Sequence, residues 1–216
     1  MTGSFSPGRW RLYVITDEHG GRGRSHLHVA EAAILGGADV VQLRDKGASS
    51  RRFYEVALQL RVLTREANVP LIVNDRLDIA LAADADGVHV GRTDLPASVV
   101  RKILGPEKIL GVSADTVEEA ILAEKDGADY LGVGPVFEAR GTKPDAGVPL
   151  GLDLIGRIRR RCRLPIVAIG GITAENARMV REAGADAAAV ISAIASADDM
   201  AEAAMRLKRL LSDATA

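Results

Sequence analysis

Two aspartates follow two short apolar segments that lie close together along the chain. The segment "PLIVND" begins at Pro70 and ends in Asp75, and "GVHVGRTD" begins at Gly87 and ends in Asp94. Carboxylate oxygens are ligands that Mg²⁺ takes together with phosphate oxygens and water. If the segments are neighbouring strands, the pair predicts a magnesium site at one edge of a sheet. The alternative for Asp75 is that it caps a helix starting in "NDRLDIAL".

A glutamine and an arginine stand two residues apart in the segment "VVQLRD", which begins at Val40. Residues two apart in a strand share a face, so Gln42 and Arg44 point one way and Leu43 points the other. Inside a barrel both polar groups require a partner, which a bound anion supplies. The alternative is an ion pair of Arg44 with Asp75 or Asp17 that only fills the interior.

Two lysines extend this positive region. Lys46 follows Arg44 by two residues, and Lys143 lies in "FEARGTKPDAG", after the sixth apolar segment. Arginine and lysine bind phosphate oxygens through charge-assisted hydrogen bonds. The cations and the two aspartates therefore predict a site for a diphosphate bridged by a metal ion.

Glycines and a serine follow the last two apolar segments. Gly170 and Gly171 lie in "IGGI", and Ser192 lies in "VISAI". Glycine lets the backbone approach a ligand, and barrels often bind phosphate with loop amides after their seventh and eighth strands. These residues indicate a second anion, separate from the metal site.

The histidines and the cysteine receive no chemical role from their spacing. His89 is flanked by apolar residues and is interpreted as a core residue, and His19, His26 and His28 lack metal-ligand spacing. Cys162 stands between two arginines and is interpreted as a packing or surface residue, with a lowered thiol pKa as the alternative.

Eight β-branched segments alternate with longer segments of helical period. Most are apolar on both faces, which is typical of parallel strands covered on each side. We therefore predict an α/β protein with a single (β/α)8 TIM barrel over residues 11–216 and a flexible lead over residues 1–10. The alternative is a doubly wound sheet, but no G-x-G-x-x-G turn follows the first segment. The predicted strands are "RLYVITD", "VVQLRD", "PLIVND", "GVHVG", "ILGVSA", "YLGVGPV", "PIVAIGG" and "AAAVISAI".

The net charge, the apolar runs and the cysteine count of the chain exclude several classes of protein. With 28 basic and 29 acidic residues the net charge is −1, so no global field draws the protein to nucleic acid or a membrane surface. No apolar run approaches a membrane span and no signal peptide is recognisable, so we expect a cytoplasmic protein. Its single cysteine excludes an intrachain disulfide.

Seven motifs occur in the order typical of thiamine-phosphate synthases, and the chain resembles that family from Leu12 to about Leu211. The resemblance implies a Mg²⁺-dependent transferase with the (β/α)8 fold. Its members join a pyrimidine diphosphate, 4-amino-2-methyl-5-hydroxymethylpyrimidine diphosphate, to a thiazole phosphate, 4-methyl-5-(β-hydroxyethyl)thiazole phosphate. The motifs are "QLRDK", "NDR", "GVHVGRTDLP", "GVSA", "GPVF" with "TKPDAG", "AIGGI" and "VISAI".

The resemblance also implies roles for individual residues. Asp75 and Asp94 would bind Mg²⁺, and Arg44, Lys46, Ser113 and Lys143 would act in catalysis. The pyrimidine diphosphate would contact Gln42, Leu43, Arg44, Asp45, Lys46, Asn74, Ser113 and Lys143. The thiazole phosphate would contact Arg140, Gly141, Thr142, Gly171, Ile191 and Ser192.

The sixth loop departs from the family's pattern. The family usually has Pro-Thr-x-Thr-Lys after an aromatic residue, whereas this chain has "FEARGTK", one residue longer. One threonine hydroxyl is therefore missing ahead of Thr142. We hypothesise that Arg140 replaces it as a contact of the thiazole phosphate.

Two other functions compete with the synthase. A related thiazole tautomerase has the same fold and a histidine where this chain has Ser113, and a non-catalytic binder of thiamine precursors needs no metal. Both aspartates together with the serine favour the synthase. We expect small phosphorylated molecules as partners, no nucleic acid and no membrane, and we leave homodimer formation open.

Overall fold

The computed structural model describes residues 6–18, 21–138 and 148–213. Its eight strands are all parallel and form a closed barrel in which each strand pairs with the next and the last pairs with the first. The predicted (β/α)8 barrel is therefore confirmed. Strands β1 to β8 are Leu12–Thr16, Val40–Leu43, Leu71–Asn74, Gly87–Val90, Ile109–Ser113, Tyr130–Val133, Ile166–Ile169 and Ala187–Val190.

Helices follow the strands on the outside of the barrel. After the short 3-10 turn Pro7–Arg9, the described residues contain α1 to α9, and a helix follows every strand. None of these helices is long and apolar enough to cross a membrane. Helices α1 to α9 are His26–Leu35, Ser50–Glu66, Leu77–Ala82, Ala97–Leu104, Val117–Lys125, Leu152–Arg159, Ala177–Glu182, Ser192–Ala195 and Met200–Ser212.

The strands bury both faces, as their doubly apolar sequences predict. One face packs against the helices; Leu43 of β2, for example, lies in a cluster with Phe53 and Leu60 of α2. The other face fills the barrel interior, where Tyr13 and Tyr130 are among the largest fully buried side chains. Alternation along each strand thus decides which side chains can reach a ligand inside the barrel.

A recurring aspartate fixes the amino-terminal ends of the strands. Asp129 accepts a hydrogen bond from the backbone N–H of Leu110 at 2.7 Å and pairs with Arg101 of α4 at 2.6 Å. Because the amino-terminal face of such barrels serves stability, these pairs hold the scaffold. The same arrangement of aspartate, strand N–H and helix cation occurs at Asp39, Asp86 and Asp186.

Trp10 closes the amino-terminal end of the barrel interior. Its ring packs edge-on against Tyr13 and Tyr130, with centroid distances of 5.8 and 5.3 Å, and it is buried. The division of the chain at residue 10 stays a prediction, but Trp10 itself packs with the barrel core.

Cys162 is a packing residue. It is buried, and its thiol donates to the carbonyl oxygen of Ala120 at 3.8 Å. Burial raises the pKa of the thiol. The alternative of a lowered pKa between two arginines is therefore wrong.

Candidate active site

A cavity of about 780 Å³ opens at the carboxyl ends of the barrel strands. In barrels of this kind the loops at that end carry the ligand site. Side chains and loop backbone from β2, β3, β4, β5, β7 and β8 meet there. The predicted site residues that line the cavity are Gln42, Arg44, Lys46, Asn74, Asp75, Asp94, Ser113, Gly171, Ile191 and Ser192.

Asp75 and Asp94 approach each other at the ends of β3 and β4. Burial is the main cause that raises the pKa of Asp75 to about 6, followed by the charge of Asp94 and a hydrogen bond with it. The charges of Lys46 and Arg44 act in the opposite direction. Two neighbouring carboxyl groups favour a proton or a cation between them, because like charges repel in a partly buried site.

The backbone holds this pair in place. Asp75 adopts a left-handed conformation, with φ at 63°, and its N–H donates to the carbonyl oxygen of His89 at 2.8 Å. Asp94 accepts a hydrogen bond from the N–H of Gly91 at 2.7 Å. Arg76, and not Asp75, occupies the N-cap position of α3, and its side chain makes no capping hydrogen bond. The helix-cap interpretation of Asp75 is therefore wrong, and its carboxyl group faces the cavity.

Arg44 is buried and pairs with Asp17, which follows β1. Of the two ion pairs that the sequence left open, the structure contains this one. Arg44 nevertheless lines the cavity, and a guanidinium has five N–H donors, so Asp17 leaves donors available for an anion. Lys46 lies beyond the end of β2, is exposed, and lines the same cavity.

Leu43 and Asp45 point away from the cavity. The Leu43 side chain packs against α2. The Asp45 carboxylate accepts hydrogen bonds from the N–H groups of Gly47 and Ala48 at 2.9 and 3.0 Å. Alternation turns the Leu43 side chain outward and the turn after β2 holds that of Asp45. The contacts of these two residues with the pyrimidine diphosphate, which the resemblance implies, stay predictions.

A chain of hydrogen bonds crosses the barrel interior below the cavity. Gln42 donates to the Tyr13 hydroxyl at 2.8 Å, and the Tyr13 and Tyr130 hydroxyls lie 2.8 Å apart. His89 links Tyr130 to Ser113, through Nδ1 at 3.1 Å and Nε2 at 3.0 Å. Burial raises the pKa of both tyrosines, so their hydroxyls stay protonated at neutral pH. His89 is a satisfied interior residue, as predicted, and it also lines the cavity.

The two tyrosines were missed by the sequence analysis, although glycines gave a signal for them. A Cβ at Gly111 would overlap the Tyr130 and His89 rings, and one at Gly132 would lie 2.8 Å from the His89 ring. Glycine inside a strand marks the close approach of another group. The repeated "LGV" of β5 and β6 was therefore the sequence feature that indicated large side chains nearby.

The loop glycines after β7 have a packing role as well as access to the cavity. Gly170 and Gly171 have positive φ of 99° and 63°. A Cβ on Gly171 would lie 2.6 Å from the carbonyl oxygen of Glu138, and one on Gly170 would lie 2.5 Å from Pro135. Close contact with the loop after β6 thus requires both glycines even without a ligand.

Four predicted residues of the sixth loop, Arg140, Gly141, Thr142 and Lys143, lie outside the described residues, and their roles stay predictions. The described residues on either side, Glu138 and Val148, line the cavity.

Known proteins similar to this chain include several thiamine-phosphate synthases. The family model described as thiamine monophosphate synthase matches residues 12–194. A thiamine-phosphate synthase of Chloroflexus aurantiacus is 59% identical over 203 residues, which cover 94% of this chain and 93% of the relative. One from Moorella thermoacetica is 53% identical over 206 residues, which cover 95% and 98%. A solved thiamine phosphate pyrophosphorylase of Pyrococcus furiosus has a TM-score of 0.86 and 41% identity, and the match covers 95% of this chain and 96% of that one.

Proposed function

Because the chain belongs to the thiamine monophosphate synthase family, we propose that it transfers the 4-amino-2-methylpyrimidin-5-ylmethyl group from its diphosphate to the thiazole phosphate. The products are thiamine phosphate and pyrophosphate. The relatives named thiamine-phosphate synthase indicate that the chain is a transferase. The observation that carries the proposed reaction is the meeting of two carboxyl groups with Arg44 and Lys46 in one cavity.

Asp75 and Asp94 fit a magnesium ion. Their carboxyl groups are close enough to raise the pKa of Asp75, and the cavity beside them has room for phosphate oxygens and water. Mg²⁺ commonly takes one or two carboxylates and completes its shell with such oxygens. Bound there, the ion would supply charge neutralisation to the diphosphate.

Arg44 and Lys46 would stabilise the leaving group. In the proposed reaction the bond between the methylene carbon and the diphosphate oxygen breaks, and negative charge develops on the diphosphate. The lone pair of the thiazole nitrogen then forms the new carbon–nitrogen bond. Fixed cations aimed at developing charge lower the barrier because no reorganisation is needed, and Asp17 holds Arg44 in such a fixed position.

The ends of the hydrogen-bonded chain would orient the pyrimidine. Gln42 and Ser113 both line the cavity, and the tyrosines and His89 between them fix their side chains. Asn74, beside Asp75, adds a further amide. No covalent nucleophile is needed, since the thiazole nitrogen attacks the methylene carbon directly.

Gly171, which follows β7, and Ile191 and Ser192, which follow β8, line the cavity and would hold the thiazole phosphate. The resemblance adds Arg140, Gly141 and Thr142 to this group. This assigns the leaving diphosphate and the retained phosphate to separate groups of residues. Lys143 would join Arg44 and Lys46 at the diphosphate.

The reaction is tested with the full chain, both phosphorylated substrates and Mg²⁺, measuring thiamine phosphate and pyrophosphate. We expect equal amounts of the two products and their loss with EDTA or in Asp94→Asn. Asp198→Asn, which changes an exposed aspartate, is the matched control and should keep full activity. Binding of both substrates without turnover would favour the non-catalytic binder, and conversion of a thiazole tautomer alone would favour the tautomerase.

A further inference from the structure

Three potential metal ligands meet outside the cavity, between the loops that follow β1 and β2. Glu18 follows β1, Asp45 follows β2, and His26 is the first residue of α1. The Nε2 atom of His26 lies 3.5 Å from Asp45 Oδ2 and 3.9 Å from Glu18 Oε1. The three ligand atoms all lie within 4.8 Å of one another. The sequence analysis assigned no role to His26, because these three residues come together only in the folded barrel.

The hydrogen bonds of His26 identify which ring nitrogen faces the carboxylates. Its Nδ1 lies 2.9 Å from the Thr16 hydroxyl, and that hydroxyl donates its only proton to the carbonyl oxygen of Gln42. Nδ1 is therefore the donor, which leaves the lone pair of neutral imidazole on Nε2. Nε2 is buried and makes no hydrogen bond within the described part of the chain.

A lone pair that faces two carboxylate oxygens is unfavourable unless a cation lies between them. His26 is 3% exposed, so bulk water does not compensate for the missing partner. An ion or a proton can fill this role. The ligand geometry favours the ion, since no hydrogen-bonding geometry connects Nε2 to either carboxylate.

We propose that Glu18, His26 and Asp45 form a second metal site, distinct from Asp75 and Asp94, that takes Zn²⁺ or a similar divalent transition ion. One imidazole and two carboxylates are ligands that Zn²⁺ accepts, whereas Mg²⁺ prefers oxygen alone. Bonds of about 2.0–2.2 Å in a tetrahedral site place ligand atoms about 3.4 Å apart. The observed separations require only a small movement of Glu18, whose side chain is 40% exposed.

Neighbouring groups already hold two of the ligands. Thr16 holds the His26 ring, in the way that metal-bound histidines use their second nitrogen. The Asp45 Oδ1 atom accepts from two backbone N–H groups, which leaves Oδ2 for the ion. A water would complete the fourth position.

The ion would act as a structural tie. It joins the loop after β1, which contains Asp17, to the loop after β2, which contains Lys46. Asp17 in turn pairs with Arg44, so the site supports two of the cations proposed to bind the diphosphate. Its expected effect is on the stability of these loops, and no reacting atom touches it.

The test uses the tag-free full chain carrying Asp75→Asn and Asp94→Asn, which removes the proposed magnesium ligands. After EDTA treatment the protein is titrated with Zn²⁺ in excess Mg²⁺. We expect about one Zn²⁺ per chain and a higher Tm, because an ion that binds only the folded chain stabilises it. Co²⁺ bound in place of Zn²⁺ should give the visible absorption bands of a tetrahedral site.

Variants of the proposed ligands distinguish Zn²⁺ binding at this site from nonspecific Zn²⁺ binding. His26→Gln and Glu18→Gln should each weaken Zn²⁺ binding by about tenfold or more and remove the Co²⁺ bands. His28→Gln, an exposed histidine on the same helix, is the matched control and should bind as the parent does. Glu18→Gln keeps the test decisive if His26→Gln does not fold. The proposal would be overturned if Glu18→Gln bound Zn²⁺ as tightly as the parent does. It would also be overturned if the parent bound no Zn²⁺ and NMR showed that its His26 is protonated.

Discussion

Asp75 and Asp94 lie beside each other at the ends of adjacent strands, and burial, followed by the charge of Asp94 and hydrogen bonding with it, raises the pKa of Asp75 to about 6. Without a cation, the site therefore disfavours the charged form of Asp75 and keeps the group protonated up to about pH 6. A bound cation removes that preference, since it stabilises both carboxylates. The same pair thus costs stability when metal-free and binds metal when charged.

The first prediction concerns pH and the metal-free protein. The folded pKa of about 6 lies above the ordinary value of 3.8, so the folded chain binds the proton more tightly than the unfolded chain. This contribution to stability is present below about pH 4 and is lost as the pH rises through 6. In EDTA, Asp75→Asn should therefore raise Tm at about pH 8, and the gain should shrink toward pH 4.

Thermal unfolding of both proteins across this pH range measures the effect. Asp198→Asn should show no such pH-dependent gain, because its side chain is fully exposed. Adding Mg²⁺ should raise Tm of the parent more than that of Asp75→Asn. If Asp75→Asn were less stable than the parent in EDTA at about pH 8, the conclusion that the metal-free aspartate pair costs stability would be contradicted.

The second prediction concerns the pair of Arg44 and Asp17. Arg44→Ala should lower kcat by about 100-fold or more while changing the binding of the thiazole phosphate little, because its charge would act on the leaving diphosphate. Steady-state kinetics and thiazole phosphate titration measure the two effects. Equal losses in kcat and thiazole binding would contradict the leaving-group role.

Asp17→Asn separates the effect of the orientation of Arg44 on kcat from the effect of its charge. It leaves the Arg44 guanidinium in place but removes its partner, so we expect a smaller loss of kcat than in Arg44→Ala. Breaking a buried pair typically costs about 3–5 kcal/mol, so chemical denaturation should show a large fall in stability. Asp213→Asn, at an exposed ion pair near the end of α9, should change neither.

The fold and the meeting of Asp75 with Asp94 could be predicted from sequence because both depend on local pattern. Doubly apolar segments mark parallel strands, and the strands' carboxyl ends collect whatever polar residues follow them. Asp75 and Asp94 therefore needed only the chain order of β3 and β4 to be placed together.

The partner of Arg44 and the interior hydrogen bonds could not be predicted in this way. Two carboxylates, Asp17 and Asp75, stood at equivalent strand ends, and the choice between them depends on side-chain packing. Tyr13 and Tyr130 lie 117 residues apart in sequence, and they meet only because the closed barrel brings β1 and β6 together across its interior. His26 was missed for the same reason, as its neighbours Glu18 and Asp45 come from two different loops.

The third prediction concerns the sixth loop, where the chain departs from the family's pattern. If Arg140 contacts the thiazole phosphate, Arg140→Ala should raise the KM for that substrate by about tenfold or more, since a charge-assisted hydrogen bond contributes about 1.5–3 kcal/mol. The kcat should change less. Arg160→Ala, an exposed arginine at the end of α6, is the control. An unchanged KM in Arg140→Ala would contradict the hypothesis.

The last prediction concerns Gly111, whose missing side chain makes room for Tyr130 and His89. In Gly111→Ala the new methyl group would overlap both rings, so the hydrogen-bonded chain from Gln42 to Ser113 must shift. Overpacking of this kind costs about 1–3 kcal/mol, and urea denaturation should show that loss together with a fall in kcat. Gly156→Ala is the matched control: its Cβ would approach no atom closer than 3.7 Å, and alanine favours the α6 helix. It should be as stable as the parent or more so. Equal stability of Gly111→Ala and the parent would show that the interior rings can move aside.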